Sequence, residues 1–237
     1  MKHPLILAPG LMCDLSSWQP VLPLLADVAD CHVVDHGLAD SLPAMAQQIL
    51  QSAPPRFALA GHSMGGRVAL EVMRIAPERV THLGLFDTGH LPKPQGEPGQ
   101  TEVAKRMALL ELAQSQGLRA MAHTWVQGMV APHRLSDEAL INDILDMFER
   151  KTVDIFQRQI RALIHRPDAS VVLPRIDCPT LILCGEFDSW ANVAQHQLLS
   201  DGITAHPEVV CIKDCGHMAM QEQPQAVAQA MRQWLSM

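Results

Sequence analysis

A serine stands in a glycine-rich turn between an apolar run and a helix-compatible run, and this arrangement constrains the fold more than any other feature. Residues 57–60 are apolar, residues 61–66 read Gly-His-Ser-Met-Gly-Gly, and residues 67–75 are compatible with a helix. A serine on a sharp strand-to-helix turn has a strained backbone and an exposed hydroxyl group. Side chains at positions 61 and 65, where the sequence has Gly61 and Gly65, would collide with nearby backbone of the same polypeptide. The pattern therefore predicts a strand, a tight turn that carries Ser63, and a helix.

Short apolar runs bounded by turn residues recur along the chain. They are continuous rather than alternating, which is typical of strands buried on both faces of a parallel sheet. The runs cover residues 5–8, 32–34, 57–60, 83–86, 180–184 and 209–212. Helical patterns separate them, most clearly at residues 42–51, 64–75 and 224–235. The alternation predicts an α/β fold with about six mainly parallel strands and helices on both faces.

The alternation is interrupted between residues 90 and 170. Residues 90–99 are rich in proline and glycine and are expected to exclude helix, and Ser136 is expected to cap a later helix. Four helical patterns follow the loop, at residues 102–115, 118–130, 137–150 and 153–165. The insertion follows the 83–86 strand, at the sheet edge where ligand sites open. We therefore predict a core of residues 1–89 and 171–237 and a four-helix cap of residues 90–170.

Composition and charge exclude several classes of function. The formal net charge is −7, which disfavours nucleic acid as a partner. No apolar run is long enough to cross a membrane, and the first residues are too short an apolar segment for a signal peptide. We expect a cytoplasmic location and no membrane partner. The sequence leaves open whether the chain is a monomer or a homodimer.

The cysteines and histidines do not indicate a metal or cofactor site. Six cysteines form no C-x-x-C pair and are expected to be free thiols, most of them buried. Twelve histidines are scattered, with no H-E-x-x-H motif and no glycine loop that could cradle phosphates. We expect neither a metal ion nor an organic cofactor.

A nucleophilic serine needs a base, and the base needs an orienting acid. His217 follows the last predicted strand and precedes the final helix, a position that none of the other histidines occupies. Asp188 follows the preceding strand and is the preferred acid. Asp87, at the end of the 83–86 strand, is its rival, and Glu186 is disfavoured because it points elsewhere.

The oxyanion formed during acyl transfer needs hydrogen-bond donors. The backbone N–H of Met64 lies at the start of a helix, whose dipole favours negative charge. The backbone N–H of Leu11, in the loop after the first strand, is the second candidate. Other residues could line the substrate pocket or simply pack the interior: the candidates are His62, His123, Trp125 and Met129.

Several segments together resemble the α/β-hydrolase superfamily, and specifically its capped esterase-like branch. The resemblance rests on residues 61–66, 76–80, 178–188 and 216–224, and it extends over nearly all of the chain outside residues 90–170. Three departures stand out. Pro9 replaces the usual histidine before Gly10, the turn at residues 35–41 is short, and the chain lacks the pattern of two further strands that usually come first.

The resemblance implies a function and roles for the residues. It implies a carboxylesterase-type serine hydrolase that cleaves carboxylic esters of small or medium apolar substrates through an acyl-enzyme, with Ser63, Asp188 and His217 as the catalytic triad. Thioesterase, lactonase, carbon–carbon bond hydrolase and acyltransferase activities would use the same residues. A non-catalytic ligand-binding protein is the alternative from another class.

Overall fold

A single sheet of six parallel strands forms the centre of the protein in the computed structural model, which describes residues 2–237. The strands are β1 His3–Ala8, β2 Ala29–Val33, β3 Phe57–His62, β4 Val80–Phe86, β5 Thr180–Gly185 and β6 Val209–Ile212. Their order across the sheet is β2-β1-β3-β4-β5-β6. All five neighbouring pairs are parallel, which confirms the predicted α/β fold class.

Ten α-helices surround this sheet in residues 2–237. They are α1 Leu22–Leu25, α2 Leu42–Ser52, α3 Met64–Ile75, α4 Gly96–Gln116, α5 Leu118–Trp125, α6 Glu138–Glu149, α7 Val153–Ile164, α8 Val193–Gly202, α9 Ala219–Glu222 and α10 Pro224–Leu235. None of the helices that the structure describes is both long enough and apolar enough to cross a membrane.

Alternation of side chains along the strands divides the interior into two cores. In β1, Leu5 and Leu7 belong to the core that contains Trp234 of α10. Ile6 and Ala8 belong to the opposite core, which contains α2 and α3. Successive side chains of a strand point to opposite faces of the sheet, so an apolar residue at every position requires helices on both faces.

The four helices α4 to α7 lie in the chain between β4 and β5. The prediction that residues 90–99 form a loop is wrong for the last four of them, because α4 already begins at Gly96 and includes Pro98. Proline is tolerated there because the N–H groups of the first helical turn have no intrahelical acceptor to lose. The pattern at residues 118–130 also ends earlier as a helix, since α5 gives way to the 3₁₀ turn Val126–Gly128.

The start of α6 differs by one residue from the sequence prediction. Asp137, not Ser136, caps the helix, because its side chain accepts a hydrogen bond from the backbone N–H of Leu140 at 3.1 Å. Ser136 instead closes the 3₁₀ turn Pro132–Ser136. Serine and aspartate are both good N-caps, so the residue that caps α6 is decided by where the preceding 3₁₀ turn ends.

The carboxyl ends of the parallel strands converge on one edge of the sheet. Ser63 directly follows β3 and Asp87 directly follows β4, while Asp188 and His217 lie in the loops after β5 and β6. Parallel strands bring loops that are distant in sequence to the same edge, where ligand sites of α/β sheets form.

Candidate active site

Ser63 lies in a strained turn whose geometry requires glycine on both sides. Its φ and ψ angles are 55° and −115°, in a region that side chains rarely adopt. A Cβ atom on Gly61 would lie 2.2 Å from the carbonyl oxygen of Gly65, and one on Gly65 would lie 2.1 Å from the carbonyl oxygen of Ala8. Thr88 donates its hydroxyl to the carbonyl oxygen of Ser63 at 2.6 Å. The steric reason expected from the sequence is therefore observed.

A line of hydrogen bonds connects three of the predicted residues. Ser63 Oγ lies 2.9 Å from Nε2 of His217, and Nδ1 of His217 lies 2.8 Å from Oδ2 of Asp188. The other oxygen of Asp188 accepts the backbone N–H groups of Trp190 at 2.8 Å and Ala191 at 3.0 Å. Burial raises the pKa of Asp188, but His217 and these two N–H groups outweigh it and hold the pKa below its usual range. An ionised Asp188 favours the His217 tautomer that carries its proton on Nδ1, which leaves Nε2 free to accept from Ser63.

Asp87, the rival acid, is buried beside Asp188 but does not contact His217 through a hydrogen bond. Its Oδ1 accepts the backbone N–H of Gly185 at 2.8 Å, and its Oδ2 has no hydrogen-bond partner among residues 2–237. Burial and the negative charge of Asp188 raise the pKa of Asp87 well above its usual range. Asp188 is therefore the carboxyl group that ionises more readily, and Asp87 is the one that keeps its proton more readily.

The loop that carries His217 is tied to the segment after α5. The backbone N–H of His217 donates to the carbonyl oxygen of Met129 at 2.8 Å. The buried carboxylate of Glu222 accepts the N–H of Gly216 at 2.9 Å and that of Ala131 at 2.8 Å. Sequence reasoning assigned Glu222 no such role. Its only signal was its position five residues after His217.

Two backbone N–H groups beside Ser63 are unused. The N–H groups of Leu11 and Met64 have no protein acceptor among the residues that the structure describes. Both residues border the cavity above Ser63. Gln159 of α7 accepts the N–H of the next residue, Met12, at 2.8 Å and so fixes the loop after β1. These are the two donors that the sequence predicted for an oxyanion.

The cavity above Ser63 has a volume of about 430 Å³. Three of the predicted pocket residues, His62, Trp125 and Met129, border it. His123 does not: its side chain is exposed on α5. Residues two apart on a helix point to nearly opposite sides, so Trp125 and His123 cannot both face the cavity. The placement of His123 thus differs from the expectation.

His62 packs against His217 and lacks a charge. Its Nε2 donates to the carbonyl oxygen of His217 at 2.7 Å, and the two rings lie 4.9 Å apart. Burial and the neighbouring His217 lower the pKa of His62 to about 3. A neutral, buried imidazole in this position helps to hold the histidine loop.

Sequence reasoning missed several residues that border the cavity. Trp190 stacks on Trp125 with ring centroids 5.6 Å apart and lies 4.9 Å from the ring of His217. Arg67 and Lys105 also border the cavity. The available signal for Arg67 was its position four residues after Ser63, on the same side of a helix.

The cysteines are free thiols, and one of them borders the cavity. All six cysteines are free, and burial raises the pKa of Cys13, which borders the cavity, to about 12. Within residues 2–237, no group of three or more histidine, cysteine, aspartate or glutamate side chains could hold a metal ion.

Comparison with known proteins identifies the family. Residues 5–230 match the alpha/beta hydrolase family, and the chain belongs to it. Among solved structures, a thermophilic esterase from Thermogutta terrifontis superposes with a TM-score of 0.85 at 24% identity, covering 100% of this chain and 90% of that chain. This likeness shows the shared fold.

Two curated relatives differ in how much they match. The pimeloyl-[acyl-carrier protein] methyl ester esterase of Photobacterium profundum is 39% identical over 87 residues, which are 33% of this chain and 34% of that protein. The match thus spans about a third of that relative's length. The 2-succinyl-6-hydroxy-2,4-cyclohexadiene-1-carboxylate synthase of Salmonella arizonae is 25% identical over 246 residues, covering 98% of this chain and 93% of that protein. Together with the family, these relatives support hydrolase activity without specifying a substrate.

Proposed function

We propose that this protein is a serine hydrolase that cleaves carboxylic esters of small or medium apolar substrates through an acyl-enzyme. The observation that carries the proposal is the unbroken line of hydrogen bonds from Asp188 through His217 to Ser63. That line ends at a cavity bordered by two unused N–H groups. The likeness to a methyl ester esterase supports the ester as the bond that is cleaved.

The proposed reaction follows from the positions of these groups. Ser63 Oγ attacks the ester carbonyl while Nε2 of His217 takes its proton, and Asp188 stabilises the resulting imidazolium. The N–H groups of Leu11 and Met64 donate to the oxyanion, each stabilising the transition state by about 3 kcal/mol. His217 then protonates the departing alcohol. In the second half, His217 removes a proton from water as the water oxygen attacks the acyl carbonyl. The bond to Ser63 Oγ then breaks, His217 returns the proton to Ser63 Oγ, and the acid leaves.

In this proposal the chain consists of a core, residues 1–89 and 171–237, and a cap, residues 90–170, which have different roles. The core supplies Ser63, Asp188 and His217. The cap supplies apolar side chains that border the cavity, among them Trp125 and Met129. Substrate selection is then the task of the cap, because it covers the cavity above the reacting serine.

The first experiment compares wild type with Ser63→Ala on p-nitrophenyl acetate and on small methyl esters. We expect kcat to fall by up to about a millionfold in the variant. An organophosphate should label the wild type at Ser63 and leave the variant unlabelled. Equal turnover in both proteins, or no turnover combined with no labelling, would overturn the proposal and favour a ligand-binding protein.

A second candidate function is a non-hydrolytic reaction catalysed by the same three residues. It is suggested by the relative that matches over almost the whole chain, which is a synthase. A non-hydrolytic reaction at the same three residues would leave Ser63 reactive toward an organophosphate but give no turnover of esters. A panel of esters, thioesters and lactones of graded chain length separates this candidate from esterase, thioesterase and lactonase activity.

A further inference from the structure

Several cationic side chains border the cavity above Ser63. Arg67, Lys105 and Arg106 lie there together with a single glutamate, Glu102. Arg67, Arg106 and Glu102 also border an adjoining cleft, where Arg166 joins them. The ester chemistry proposed above uses none of these charges, although the chain as a whole has a net charge of −7.

Glu102 neutralises only part of this cluster. Its Oε1 accepts from Nε of Arg106 at 3.0 Å and from Nη1 of Arg166 at 2.6 Å, and its Oε2 accepts from Nη2 of Arg166 at 2.9 Å. Burial raises the pKa of Glu102, but the hydrogen bonds and charges of these arginines bring it down to about 2. One carboxylate balances one of the two arginines. A positive charge therefore remains before Arg67 and Lys105 are considered.

Neither Arg67 nor Lys105 has a carboxylate partner in residues 2–237. The ion pairs of this region all involve Glu102 with Arg106 or Arg166. Asp87 also borders the cavity, but burial and the neighbouring Asp188 raise its pKa and so disfavour its charged form. The cavity is thus bordered by two cations, Arg67 and Lys105, that form no ion pair with a carboxylate in residues 2–237.

The Arg67 guanidinium is fixed in position but makes only one hydrogen bond within residues 2–237. It lies one helical turn after Ser63 in α3, and its half-buried guanidinium donates from Nη1 to the carbonyl oxygen of Leu91 at 2.8 Å. On the other side it packs against Gly89, where an added Cβ atom would lie 3.1 Å from Nη2. A guanidinium has five N–H donors. The protein uses one of them, so the planar group is fixed in orientation with donors still free.

We propose that Arg67 and Lys105 form an anion subsite that binds a carboxylate carried by the substrate, a few bonds from the scissile ester. The fork of a guanidinium matches the two oxygens of a carboxylate, and the ammonium of Lys105, which borders the same cavity, adds a second charge. This inference rests on the proposed function and narrows its substrate class. The substrates are half-esters of dicarboxylic acids, with an apolar chain between the ester and the free acid.

Burial, together with the positive charges of Arg166 and Arg106, also lowers the pKa of Arg67. An anion bound at this position would counter that effect, since it favours the charged guanidinium. Binding of a carboxylate at Arg67 would offset the repulsion from Arg106 and Arg166.

The test compares monomethyl adipate, which is an anion, with dimethyl adipate, which has the same chain without the charge. We measure kcat/KM for both, corrected for the two ester groups of the diester, and take the anion-to-neutral ratio. Arg67→Gln should lower this ratio by about tenfold or more. Arg67→Lys, which retains the charge but lacks the fork, should give an intermediate ratio. The matched control is Arg158→Gln, in which an arginine paired with Asp154 on α7 is removed, and its ratio should equal that of the wild type.

A binding measurement separates the subsite from the reaction. Ser63→Ala is titrated with monomethyl adipate by calorimetry, with and without Arg67→Gln, and melting curves check that each variant is folded. The subsite predicts an increase in Kd of about tenfold or more when Arg67 is replaced. An unchanged Kd and an unchanged ratio, with Ser63-dependent cleavage of the neutral diester, would overturn the subsite and leave the proposed function intact. Absence of turnover with both esters and with p-nitrophenyl acetate, together with no organophosphate labelling of Ser63, would overturn the proposed function, and the titration would still decide the subsite.

Discussion

Asp87 and Asp188 are buried beside each other after the neighbouring strands β4 and β5, and their surroundings shift their pKa values in opposite directions. Asp188 is hydrogen-bonded to His217 and to two backbone N–H groups, which hold its pKa down. Asp87 receives a single N–H and is raised in pKa by burial and by Asp188. Two adjacent buried carboxyl groups cannot both ionise at low cost, so the one with more hydrogen-bond donors ionises more readily. This asymmetry selects Asp188 as the partner of His217.

Activity should therefore depend far more on Asp188 than on Asp87. Asp188→Asn is expected to lower kcat by about 10,000-fold, because an amide cannot stabilise the imidazolium or fix the tautomer of His217. Asp87→Asn retains a neutral group of the same shape and should change kcat by less than about fivefold. Steady-state kinetics on one ester decide the matter. A larger loss in Asp87→Asn would reverse the assignment of the acid.

Asp87 should also make stability depend on pH. A carboxyl group in the unfolded chain has a pKa of about 3.9. Since the folded-state pKa of Asp87 is raised, its stabilising effect is complete below about pH 4 and is lost as the pH rises through the folded value. Asp87→Asn removes this loss, so its free energy of unfolding should fall less between pH 5 and pH 9 than that of the wild type.

Urea unfolding at several pH values measures this difference. Asp177→Asn, at an exposed position, is the control and should follow the wild-type profile. If Asp87→Asn and the wild type share the same pH profile, then Asp87 does not hold a proton in the folded protein.

Glu222 should act on catalysis through the position of His217. Its two oxygens accept N–H groups of Gly216 and Ala131, so Glu222→Gln turns one acceptor into a donor that faces an N–H group. An unpaired buried N–H costs about 1–3 kcal/mol. We expect a lower Tm together with a reduced kcat, while exposed Glu208→Gln should change neither. A fall in Tm with an unaltered kcat would show that Glu222 supports the fold alone.

Gly65 should tolerate no side chain. In Gly65→Ala the new Cβ atom would lie 2.1 Å from a carbonyl oxygen of β1, and both backbones would have to move. Gly37→Ala is the matched comparison, because Gly37 has a φ of +52° but no atom within 4 Å of its added Cβ. We expect about 1–2 kcal/mol of destabilisation at Gly37, from backbone strain alone, and a larger loss at Gly65. Denaturant unfolding of both variants measures the loss in free energy of unfolding. Equal losses would show that the clash at Gly65 is relieved at little energetic cost.

The strands and the serine turn could be predicted because they depend on neighbours in the chain. Continuous apolar runs marked the buried strands, and β6 and α10 were predicted with the boundaries that the structure has. The start of α4 could not be predicted in the same way. Glycine and proline near Gly96 suggested a loop, but they are harmless in the first turn of a helix, whose N–H groups need no intrahelical acceptor.

The sequence by itself determined that this is an α/β protein with Ser63 in a glycine-flanked turn and with Asp188 and His217 in the loops at the same sheet edge. Local sterics and strand order suffice for this, since parallel strands bring their carboxyl ends together. Only the tertiary structure decided which acid is hydrogen-bonded to His217 and how Glu222 reaches Ala131 across 91 residues of chain. It also decided that Arg67 and Lys105 border the cavity without a carboxylate partner. These properties depend on distances between side chains that are remote in sequence. Burial strengthens the electrostatic interactions over those distances, and so they change pKa values and ligand affinity.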